Sequence, residues 1–186
     1  MFRLFSGVVL LFALFAGACQ AAEDDDGEEA QEQEQRILTA DDIPARIAQA
    51  EVGEWVLYKT GEGNRSRLTV VEKWEEHGDV YLIIQNEITR PKKKRPIVRE
   101  ERICVSDAVK EVRDLGPEDR VTESEVLVHG RRIDAVVVNF IKDGRVYRQS
   151  YFSEKIPVYG LVRGVNPRSK VKNALTIVDY GFAEDF

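Results

Sequence analysis

Between Arg131 and Ile141, apolar side chains occupy both faces of what alternation marks as one strand. Ile133, Ala135, Val137 and Ile141 share one face, and Val136, Val138 and Phe140 share the other. Successive residues of a strand point to opposite sides, so this strand must be covered twice or must line an apolar space. In a domain with little helical sequence, bending the sheet meets that demand. One surface wraps a helix or a ligand space, and the other packs on a flanking segment. The expected fold is mainly β: a strongly curved antiparallel sheet, a half-barrel or open barrel, with one or two short helices.

The rest of the chain agrees with this expectation. Short alternating segments are separated by turn signals such as Gly61-Glu62-Gly63-Asn64, His77-Gly78-Asp79 and Lys142-Asp143-Gly144. Trp55 and Leu57 open one strand on a common face; Leu68, Val70 and Trp74 alternate along the next; Leu82 and Ile84 oppose Tyr81 and Ile83 on a third. Ile97 to Val105 reads as a strand, and Ile156 to Val162, punctuated by Pro157 and Gly160, reads as an edge or crossing strand. Two segments carry helical signals. Asp41 to Ala50 has Asp41 or Asp42 as cap and Pro44 near its first turn. Ser106 to Leu115 places Ala108, Val109, Val112 and Leu115 on one side, with Ser106 able to cap and Gly116-Pro117 as a stop.

Residues 1–22 read as an export signal: Arg3, an apolar run from Leu4 to Ala16, then the small residues Ala16, Gly17 and Ala18 before Cys19. The run is shorter than the roughly 18 residues a spanning helix needs. Two processing routes fit. A general peptidase cuts after Ala18, or by Ala22, and releases a secreted or periplasmic protein. Alternatively Cys19 becomes a lipidated first residue that anchors the chain on the non-cytoplasmic side of a membrane. Residues 23–36, with eight acids and one arginine, read as a disordered acidic tether. Residues 37–186 then form a single β-rich domain.

The whole chain carries −6, from 27 basic and 33 acidic residues. Residues 1–36 account for the imbalance, so the domain is neutral and has no global field for nucleic acid. Cys104 is the only thiol beyond the leader, which leaves no internal disulfide to form. Its place between Ile103 and Val105 reads as a small buried hydrophobe. His77, His129 and Cys104 are isolated, so no metal site is expected, and no cofactor signature is present. The pairs Glu75/Glu76 and Glu100/Glu101 fall on opposite strand faces and do not converge. Lys92-Lys93-Lys94-Arg95, bracketed by Pro91 and Pro96, is the sharpest local charge; it reads as a solvated hairpin tip or as a contact for an anionic surface.

Trp55, Trp74, Tyr81, Tyr147, Tyr151 and Phe152 are either ordinary core or the lining of an apolar binding space. The order Gly53-Glu54-Trp55-Val56-Leu57-Tyr58, Asp143-Gly144, Tyr151-Phe152-Ser153, Ile156-Pro157-Val158-Tyr159-Gly160-Leu161-Val162 and Val178-Asp179-Tyr180-Gly181-Phe182 resembles the curved half-barrel of envelope lipoprotein-localisation factors and related exported proteins. That resemblance implies shielding of acyl chains in a concave apolar face and carries across no site residue. The functional expectation is an exported envelope protein that binds an apolar ligand (lipid or acyl chain) or a protein partner without catalysis. The alternatives are a structural or assembly component with no ligand, and a hydrolase using dispersed carboxylates.

Overall fold

The computed structural model describes residues 36–128, 130–167 and 174–183. The expected export signal, Cys19 and all of the acidic tether but Arg36 lie outside the described residues, as does His129. Among the described residues, nine strands form one open antiparallel sheet: β1 (Trp55–Thr60), β2 (Arg65–Glu76), β3 (Asp79–Thr89), β4 (Ile97–Cys104), β5 (Arg120–Val128), β6 (Arg131–Lys142), β7 (Arg145–Phe152), β8 (Leu161–Val165) and β9 (Ala174–Gly181). Their order is β4-β3-β2-β1-β9-β8-β7-β6-β5. Two meanders are thus joined where β1 pairs with β9, Tyr58 opposite Ile177. One helix, α1 (Val105–Arg113), follows β4.

The sheet curls. Although α1 leaves β4 at one edge, Val112 and Leu115 pack on Val138, Phe140 and Phe152 of β6 and β7, near the other edge. A larger cluster joins Val56, Tyr58, Val70, Leu82 and Ile84 to Val162 and Ile177, closed over by Ile47, Ile156 and Val158. The concave side is therefore largely filled by the chain's own segments. β6 is buried on both faces, with Ile133, Ala135 and Val137 on one and Val138 and Phe140 on the other.

Tyr58 is the largest fully buried side chain, and its hydroxyl donates to the Leu161 carbonyl at 2.8 Å. That bond ties β1 to β8 across the intervening β9. The core face of β1 is thus Val56 and Tyr58; Trp55 and Leu57 face the other way, half-buried.

Several local expectations are corrected. Asp41 to Ala50 is not one helix but two 3-10 turns, Ala40–Asp42 and Arg46–Gln49. Pro44 disfavours helical geometry in the residue before it, and Ile43 is extended (φ −74°, ψ 121°). Residues 156–160 are a buried turn rather than a strand: the Ser153 N–H donates to Gly160 at 2.8 Å and the Ile156 N–H to Ser153 at 3.3 Å. β8 begins only at Leu161 and lies inside the sheet, between β7 and β9. Cys104, not Ser106, occupies the position before α1, and the Ser106 hydroxyl lies 3.3 Å from an Asp79 carboxylate oxygen. Cys104 is half-buried, not fully buried, with Sγ 3.2 Å from Ser106 Oγ.

Candidate functional site

A groove of about 610 Å³ runs between the β4–α1 corner and the inner surface of β6–β8. Its floor is apolar, from Ile103, Val112, Phe140, Phe152 and Leu161. Pairing explains why these meet: Phe152 sits opposite both Val136 and Leu161, and Arg148 opposite Phe140. Glu101, Asp107 and Glu111 are exposed along the helix side of the rim, and Arg148 stands on the strand side. The Arg148 guanidinium carbon is 3.7 Å from the centre of the Phe140 ring, which holds the cation against the floor.

Tyr159 lies between floor and rim. Burial pushes its hydroxyl up to about 12, and the Glu101 and Glu111 carboxylates add to that shift. Burial also raises Tyr58, with Tyr159 contributing. The unfolded chain loses the Tyr159 proton near pH 10, whereas the folded chain keeps it. Stability from this group is therefore complete below pH 10 and is lost as pH rises through about 12. Urea titrations between pH 9 and pH 12 should show a fall of order 2 kcal/mol larger in the wild type than in Tyr159→Phe, whose remaining fall belongs to Tyr58. Identical pH dependence in the two proteins contradicts this.

A second opening of about 680 Å³ lies on the other side of Phe152, lined by Asp42, Glu123, Glu125, Asp134 and Lys155 among others. Its charges are largely engaged: Lys155 with Asp134 at 3.1 Å, Arg132 with Glu125 at 3.2 Å, and Arg36 with Asp42. The Asp42 carboxyl is held low, first by the Thr39 backbone N–H. Among the described residues no three His, Cys, Asp or Glu side chains are placed to hold a metal.

The six aromatic residues expected to line a common space are distributed over the sheet. Of the six, Phe152 lines the groove. Trp74 and Tyr81 stack at 5.5 Å, with Arg102 over both rings. They stand on the face opposite Leu82 and Ile84: Tyr81 by alternation along β3, and Trp74 because a bulge between Val70 and Glu72 shifts the register of β2 by one residue and turns it over. Trp55 packs under Arg67 at 4.2 Å, Tyr147 is exposed beside Phe140, and Tyr151 faces Arg163 at 6.0 Å. Lys92, Lys93, Lys94 and Arg95 are all exposed in the β3–β4 loop. Composition of the strands missed Tyr159, Arg148 and α1 as site elements; only the apolar period of α1 marked a surface that needed cover.

No family model matches the chain, and no curated protein matches it. Among solved structures, a Bacteroides fragilis protein of YmcC-like fold, inferred to be exported, is similar at TM-score 0.45 and 10% identity, covering 71% of this chain and 97% of that one.

Proposed function

We propose that this chain is an exported, non-enzymatic binding module that takes the apolar part of a ligand, an acyl chain or comparable group, in the groove beside α1. The observation that carries the reading is the groove itself: an apolar floor of about 610 Å³ bordered by charged side chains, within the roughly 300–1,000 Å³ typical of small-molecule sites. The leader at residues 1–22 supports export, and Cys19 supplies a lipid anchor if it is processed. The three groove carboxylates stand in water on the rim, whereas general acid–base work favours carboxylates enclosed in a cleft. Assembly through sheet edges is less well supported. β4 exposes Arg99, Glu100, Glu101 and Arg102, and β5 exposes Glu123 and Glu125, charges that guard an edge against strand addition.

The test is titration with a fluorescent acyl probe. Ala108→Trp puts an indole into the groove, and Arg148→Glu reverses the cation that lies over Phe140. Each should weaken binding about tenfold or more, the loss that ~1.4 kcal/mol produces, with thermal unfolding unchanged. No saturable binding by the wild type, or equal binding by folded variants, overturns the reading.

A further inference from the structure

One end of the β1–β4 meander is a front of unpartnered positive charge. The β3–β4 loop carries Lys92, Lys93, Lys94 and Arg95, all exposed. The β1–β2 turn lies against it, since a side-chain carbon on Gly63 would sit 3.6 Å from Pro91 Cγ. At the foot of that turn Lys59 and Arg65 are direct cross-strand partners. Like charges in that position repel. Among the described residues, none of these six cations enters an ion pair. Glu62 and Glu87 are the acids nearest in strand register, and neither forms a salt bridge there.

We infer that this end docks on an anionic phospholipid bilayer. Lys59 and Arg65 are both exposed, and an anionic surface would relieve their repulsion. The front is built from two adjoining hairpin tips, the β1–β2 turn and the β3–β4 loop, whose exposed cations can meet a flat surface together. Val98, at the foot of the loop, is 52% exposed, and a bare aliphatic side chain beside lysines is the composition of a membrane-interface contact. β4 runs from this loop to α1, and the groove begins at Glu101, so its near end would lie roughly 13 Å from the foot of the loop.

The experiment is co-sedimentation of residues 23–186, the chain freed of the apolar leader and of Cys19 with any acyl anchor, with phosphatidylcholine vesicles with and without 30% phosphatidylglycerol. Each basic residue near such a surface contributes about fivefold in affinity. Replacing all four loop cations by glutamine should therefore reduce binding to the anionic vesicles by about 600-fold. Wild-type binding should vanish in high salt. The Lys59→Gln/Arg65→Gln variant, which leaves the loop intact, should lose at least about tenfold. Equal binding by wild type and the loop variant overturns the inference, as does equal binding to neutral vesicles. Binding to soluble polyphosphate with no binding to either vesicle also overturns it and assigns the front to a polyanion.

Discussion

Replacing Glu54 by leucine is expected to cost about 3–5 kcal/mol, because it leaves a buried arginine without its counter-charge. Arg46 Nη2 donates to Glu54 Oε1 at 2.5 Å, with the two side chains 10% and 4% exposed. Little water reaches either group. The pair also fixes geometry: the Glu54 carbonyl accepts from the Val70 N–H at 2.9 Å, so the carboxylate is pinned to the β1–β2 junction, while Arg46 rides on the 3-10 turn above it. Yet the pair is poorly compensated. Among the described residues, Arg46 Nη1 and Glu54 Oε2 are buried with no hydrogen-bond partner, so each ion keeps part of its desolvation cost. Arg46→Met/Glu54→Leu should therefore recover most of the single-mutant loss and end within about 1 kcal/mol of the wild type or above it. Urea midpoints at constant slope measure both effects. A double variant as unstable as the sum of the singles shows that the two groups do not act as a pair.

That pair illustrates what the sequence left hidden. Periodicity identified the strands, the curl demanded by β6 and the helical face of α1, because each rests on a local repeat of apolar residues. Nothing local links Arg46 to Glu54, since a charged residue in a polar stretch reads as solvated until the fold buries it. The bulge between Val70 and Glu72 had no Gly or Pro to announce it, yet it sent Trp74 to the face opposite Leu68 and broke up the expected aromatic lining. The β1–β9 pairing is a long-range choice that leaves no trace in either strand's composition. The groove depends on it, because it brings the meander that carries α1 round to face β6 and β7. Pro157 and Gly160 were visible as breakers, but their consequence, a largely buried turn in place of a strand, required knowing that Ile156 and Val158 close the main cluster.

Gly160 gives the second large effect. Its φ is +71°, which non-glycine residues adopt at a cost of roughly 1–2 kcal/mol. A methyl group there would also lie 3.0 Å from the Ser153 carbonyl oxygen and 3.1 Å from Arg46 Cβ. The first neighbour is backbone, engaged by the Ile156 N–H; the second is the stem of the buried arginine. Neither can retreat without loosening the turn or the Arg46–Glu54 contact, and overpacking of this kind costs about 1–3 kcal/mol. Gly160→Ala should therefore lose about 3 kcal/mol and Gly160→Val somewhat more. Gly144 separates the two causes. Its φ is +65°, but a methyl there meets nothing within 4 Å, so Gly144→Ala should lose only about 1 kcal/mol. Chemical denaturation of the three variants reads the difference directly. Equal losses at positions 144 and 160 mean that backbone handedness alone sets the cost and that the turn is not wedged beneath Arg46.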